Sequence, residues 1–284
     1  MPERARTALI GAGALTVLLF LIWFAAFHIG FVKRADQSIY TAFGGFAWKP
    51  HVQRVANFVA GLCNPKPYVY FCFIPVLVAL GRGRFRVAAA AAAILLGANV
   101  TTELLKPLLA QPRPANLLGS APPIGAASWP SGHATAAMSL ALSTTMAVPG
   151  RLRPFIAALG ALFAVAVSYS FLTLGWHYPS DVLGGFLVAG IWTLVAVAGV
   201  MTADARRPEA RPEARGRRIT VREALGPPSV ALLGAVVLGL AVLIARPDEV
   251  VAYARLHTTF VVGVAAIGAS ALALATGVML TLRR

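Results

Sequence analysis

Apolar runs, each closed by a short cluster of charge or proline, set the rhythm of this chain. The first covers residues 9–31 and contains no Asp, Glu, Lys or Arg. It is long enough to cross a bilayer and too long for the core of a signal peptide. No A-x-A pattern follows it, so a retained anchor helix is expected. Further runs lie at 67–80, 87–106, 133–148, 155–174, 182–201, 229–245 and 258–282, which brings the expected helices to eight. The run at 67–80 is short for a bilayer and would be extended by residues before it. The mixed stretch 33–66 carries charge, aromatics, Gly44, Gly45 and Pro50. Within it, 52–62 reads either as a short helix lying in the interface or as a plain loop.

This pattern predicts an all-α, polytopic membrane protein with a six-helix core and two additional C-terminal helices. Residues 202–228 interrupt it with Arg206, Arg207, Arg211, Arg215, Arg217, Arg218 and Arg222 beside Pro208 and Pro212. Low hydrophobicity with high charge predicts a flexible linker there. Three parts follow: a core over 1–202, a basic linker over 203–228 and a helix pair over 229–284. No repeat of fixed period is visible.

Composition sharpens this picture. Of 284 residues, 58% are hydrophobic and 12% charged, and the mean hydropathy is +0.74. A soluble globular domain is about half apolar and about a quarter charged, so a soluble enzyme and a disordered chain are both disfavoured. The net charge of +15 would suggest nucleic acid in a soluble domain. Here the basic residues sort by loop. With the N-terminus in the cytoplasm, 16 of the 25 Lys and Arg fall on inside segments, as the positive-inside rule requires. The charge is thereby explained without nucleic acid, and the arginine linker is expected to rest on anionic lipid. Cys63 and Cys72 are the only cysteines. They form no metal spacing and no disulfide framework, and read as free apolar thiols.

Three polar groups collect at helix ends on the outside face. The first holds Lys106 and Arg113, the latter flanked by Pro112 and Pro114. An arginine fork matches phosphate oxygens and a lysine adds a point charge, although both also fit as snorkelling interfacial cations. The second is Pro130-Ser131-Gly132-His133. A helix start presents unpaired N–H groups and partial positive charge to an anion, and His133 in its first turn is placed to give a proton to a leaving oxygen. The plainer reading is a Ser N-cap with an incidental His. The third holds His177 and, four residues on, Asp181. A carboxylate on one imidazole nitrogen makes the other a better nucleophile; alternatively the pair never meets. Together the groups read as one phosphoryl-transfer site. No P-loop and no acidic cluster suited to Mg²⁺ accompany them, so metal-free chemistry with no cofactor is expected. A His–Zn site is the competitor, though two histidines and one Asp are thin for it.

These motifs resemble the type 2 phosphatidic acid phosphatase superfamily, which also contains vanadium haloperoxidases. Its pattern K-x6-R-P, P-S-G-H, S-R-x5-H-x3-D is matched by Lys106 with Arg113-Pro114, by Pro130-Ser131-Gly132-His133, and by Ser170-Phe171 with His177 and Asp181. The motifs span about 75 residues, and the six-helix core extends the likeness to roughly residues 9–201. The resemblance implies that His177 attacks phosphorus to form a phosphohistidine, that Asp181 orients it, and that His133 protonates the leaving group. It also implies that Lys106, Arg113, Ser131 and Gly132 hold the phosphate oxygens. One position departs: Phe171 stands where the family has a phosphate-binding Arg. Loss of one charge-assisted hydrogen bond costs about 1.5–3 kcal/mol. A slower enzyme, rescue by Arg54, Lys49 or Lys66, or a binding protein on the same scaffold are the three outcomes.

The expected function is an integral membrane phosphatase acting on polyprenyl diphosphate, phosphatidic acid or phosphatidylglycerol phosphate at the extracytoplasmic side of the cell membrane, with both termini cytoplasmic. A lipid phosphotransferase shares every site residue, and a lipid-phosphate-binding or transport protein is the non-catalytic alternative. A haloperoxidase is disfavoured by the membrane spans. The expected partners are the lipid phosphate substrate and membrane lipids. The C-terminal pair is expected to pack on the core, contact a partner or mediate a homo-oligomer. Trp48, Trp129 and Trp176 are expected in an aromatic belt, with a substrate-entry lining as the alternative for the last two.

Overall fold

The computed structural model describes residues 1–111, 126–207 and 220–282. Over these the protein is all-α and polytopic, with no strand among the described residues. The order is α1 (Glu3–His28), α2 (Gly30–Gly44), α3 (Pro50–Gly61), α4 (Pro65–Gly81), α5 (Phe85–Leu108), α6 (Gly132–Ala147), α7 (Arg153–Thr173), α8 (Pro179–Arg206), α9 (Val221–Ala245), α10 (Pro247–Leu256) and α11 (Thr258–Thr281). Five helices (α1, α5, α7, α8 and α11) are long and apolar enough to cross a membrane, and α3 with α4, bent by 52° at their junction, would form a sixth.

α8 is the hub. It packs on α1, α5, α6 and α11, and its inner face buries Val182, Phe186, Val188, Ala189 and Val197. α6 has 16 residues, about 24 Å of helix, short for a bilayer. Its surroundings explain why it is helical all the same. Ala136, Ala137, Met138, Ala141, Leu142 and Met146 are all buried as it packs among α4, α5, α7 and α8, and its small side chains let neighbouring backbones approach. α11 lies on α7 and α8 and buries Ile267, Ala271, Ala275, Val278 and Met279 in the same core.

Several expectations shift. The stretch 52–62 is a helix, α3. Two further helices, α2 and α10, have no counterpart among the eight expected. Both are short and amphipathic, and an apolar-run criterion passes over such segments. α8 continues to Arg206 and α9 begins at Val221, so both ends of the stretch expected as linker are helical. Its middle, 208–219, lies outside the described residues. Trp129 is not a belt residue: it is fully buried, packed against α8 where Gly184 leaves room for its ring. Trp48 is exposed, as a belt residue should be.

Candidate active site

The N-termini of α4, α6 and α8 converge at one end of the bundle, and their first residues build the site. Ser131 is the N-cap of α6, its hydroxyl accepting from the Ala134 N–H at 3.3 Å. Its own N–H donates to the Asp181 carbonyl at 2.9 Å, which ties the start of α6 to the first turn of α8. That approach requires glycine on α8: a Cβ at Gly185 would sit 2.6 Å from the Ser131 carbonyl oxygen. The Thr102 and Thr135 hydroxyls, 2.9 Å apart, join α5 to α6 just below.

His177 follows a turn in which Gly175 has φ 72°, a left-handed conformation that glycine accepts without steric cost. The turn delivers His177 ahead of Pro179, the first residue of α8. Its Nδ1 lies 3.3 Å from Asp181 Oδ2, and the same oxygen accepts the Tyr178 N–H at 3.0 Å. Asp181 is fully buried. A carboxylate held this way fixes the imidazole ring and leaves Nε2 as the free nitrogen. The i, i+4 pairing expected for His177 and Asp181 is therefore present.

His133 stands in the first turn of α6. Its ring centroid lies 5.9 Å from that of Phe171, and Phe171 lies 5.3 Å from His177. Phe171 is thus the ring that both imidazoles touch, and it is fully buried. Lys106 reaches the same place: a side chain at Gly132 would come within 3.5 Å of the Lys106 ammonium and 3.4 Å of the Glu103 carboxylate. His133 and Lys106 are also close enough to interact electrostatically, as are His133 and His177. The structure therefore brings together His133, His177, Asp181, Lys106, Ser131 and Gly132. Arg113 lies outside the described residues.

Three further residues fasten this end. Asn64, the N-cap residue of α4, places Oδ1 3.0 Å from His133 Nε2. Glu103 pairs with Lys106 at 2.5 Å, one turn apart on α5. Asp36 on α2 accepts from the Ser180 N–H at 2.9 Å and the Ser180 hydroxyl at 2.7 Å, fastening the start of α8. Glu103–Lys106 was open to an i, i+3 reading; the other two are long-range contacts that spacing does not reveal. Trp176 stands 5.4 Å from His133 and lines the site, the alternative entertained for it. Of the three rescue candidates, Lys49 is exposed with its ammonium 5.8 Å above the Trp48 ring, Arg54 is exposed on α3, and Lys66 sits two residues beyond Asn64.

Residues 86–205, which carry every one of these motif positions, match the family described as the PAP2 superfamily. The fold agrees. A crystal structure described as the first transmembrane PAP2 type phosphatidylglycerolphosphate phosphatase from Bacillus subtilis superposes with a TM-score of 0.52 at 21% identity, covering 72% of this chain and 98% of that one. Among curated proteins, none matches this chain. Within the PAP2 segment the structure assembles α5–α8 into one unit, and the outlying α2 and α4 add Asp36 and Asn64 to its reactive end.

Proposed function

We propose that this chain is an integral membrane phosphatase that removes phosphate from a lipid phosphate or diphosphate, with polyprenyl diphosphate, phosphatidic acid and phosphatidylglycerol phosphate as candidate substrates. The observation that carries the reading is the His177–Asp181 pair facing His133 across Phe171, at a point where helix N-termini and Lys106 favour an anion. His177 Nε2 attacks phosphorus, and the bond from phosphorus to the leaving oxygen breaks as the N–P bond forms. Asp181 stabilises the charge that develops on the ring through Nδ1. His133 gives its proton to the leaving oxygen and then takes one from the water that attacks phosphorus; the N–P bond breaks, which frees His177 and releases phosphate. Lys106, Arg113, Gly132 and Ser131 hold the phosphoryl oxygens, with no metal or cofactor taking part.

In this reading the site opens on the extracytoplasmic face, since the loops at the opposite end carry most of the basic residues, and both termini are cytoplasmic. The division into core, basic linker and C-terminal pair belongs to the same reading. Release of inorganic phosphate from a panel of lipid phosphates, by purified wild type and His177→Ala side by side, tests it. Release by wild type alone is expected. Equal release by both proteins would leave a lipid-phosphate-binding protein on this scaffold, the outcome that Phe171 in place of a cationic clamp favours.

A further inference from the structure

A cleft of about 960 Å³ lies between α2 and α10, beside the reactive end and separate from it. α2 divides its faces sharply. Asp36, Ile39, Tyr40 and Phe43 turn to the core, while Lys33, Arg34 and Gln37 line the cleft. Tyr253 and His257, one turn apart on the far wall, stack at 4.3 Å. Phe46 closes one side and reaches the aromatic group around Phe260, at 6.1 Å. No Asp or Glu is among the described residues that line the cleft.

Gln37 supplies the second observation. Its Oε1 accepts the Tyr178 hydroxyl at 2.9 Å, whereas its Nε2 is buried and has no acceptor among the described residues. Buried amide donors are nearly always paired, and Gln37 lines the cleft, so a small turn of its side chain would bring this one to an acceptor there. Lys33 and Arg34 call for an anion with several oxygens. The aromatic walls and the volume call for an apolar body attached to it, larger than a free phosphate. An amphiphile with an anionic phosphate headgroup meets all three requirements.

We propose that the α2–α10 cleft binds the phosphate headgroup of an anionic membrane lipid, as a site distinct from the catalytic centre. The occupant also bears on that centre. Gln37 holds Tyr178, whose N–H donates to Asp181 Oδ2, the oxygen that holds His177. A lipid that fixes the Gln37 amide thereby steadies the turn that presents the nucleophile.

The test is a binding measurement on the full-length protein in detergent, titrated with short-chain phosphatidylglycerol and, separately, phosphatidylcholine, and read by native mass spectrometry. Wild type should prefer phosphatidylglycerol. The double variant Lys33→Gln/Arg34→Gln should lose about tenfold or more in affinity for it, as expected for charge-assisted contacts. Lys49→Gln/Arg54→Gln, which removes two cations outside the cleft, should change affinity less than about twofold, the scale of exposed charges. His177→Ala should bind as wild type, which separates this site from the catalytic one. Equal losses in the two double variants, tight binding of phosphatidylcholine, loss of binding in His177→Ala, or displacement of the lipid by micromolar inorganic phosphate would each overturn the proposal.

Discussion

The two ends of the helix bundle use polar residues in opposite ways. At one end the C-termini of α6, α8 and α11 meet a ring of arginines. Arg82 donates to the carbonyl of Ala147, the last residue of α6, and Arg153 to the carbonyl of Leu282 at 2.8 Å, just past α11. Arg86 donates to the carbonyl of Arg207, the C-cap residue of α8, and to Asp204 at 3.0 Å. Positive charge here meets the negative ends of the helix dipoles and the carbonyls of their last turns. At the other end the N-termini of α4, α6 and α8 meet two imidazoles, a lysine and a buried carboxylate. Here Lys106, paired with Glu103, stands among positive helix ends, an arrangement that suits an incoming anion. One end is closed by its own chain, and the other, in the function proposed above, receives a phosphate. The same dipoles, read from opposite ends, close the bundle in one place and frame the candidate site in the other.

The steepest way to break this comparison is His177→Ala, which removes the proposed nucleophile. Turnover should fall by about 10⁴-fold or more, measured as phosphate release, while thermal stability stays close to wild type. Asp181→Asn keeps the shape of a fully buried residue and removes the charge that holds the His177 ring, so a loss of about 10²–10⁴-fold in kcat is expected.

Phe171→Arg introduces the residue that the motif resemblance implies at this position, yet the site that receives it is fully buried between two imidazoles. An unpaired guanidinium in such a place should destabilise the protein by about 3 kcal/mol. A lowered Tm, partly recovered when millimolar phosphate supplies the counter-ion, is the expected result. Asn64→Ala frees the His133 ring and should lower kcat about tenfold with little change in KM. The gentlest case is Arg153→Gln at the closed end. It should cost about 1 kcal/mol of stability in thermal or denaturant unfolding and leave kcat unchanged. An equal loss of activity there would erase the distinction between the ends.

Much of this arrangement was legible beforehand. The apolar runs located α1, α5, α7, α8 and α11, and the spacing of four between His177 and Asp181 survives as a hydrogen-bonded pair. Lys106, Ser131, Gly132 and His133 meet as their motifs implied. What escaped was everything set by distant contacts. α2 and α10 carry too little apolar length to register as runs, yet α2 delivers Asp36 to Ser180 and Gln37 to Tyr178. Asn64 reads as a helix cap and nothing more until α4 is packed against α6. Trp129 has the composition of a belt residue, and only the glycine on α8 that admits its ring shows otherwise.

The proposed chemistry depends on a bond from His177 Nε2 to phosphorus. Rapid acid-free quenching of the purified protein with a lipid substrate labelled in its terminal phosphate, followed by peptide mapping, tests this most directly. Label is predicted on the peptide bearing His177, stable to base, lost in acid, and absent from His177→Ala. Label on another residue, or turnover with no labelled protein at any quench time, would contradict it.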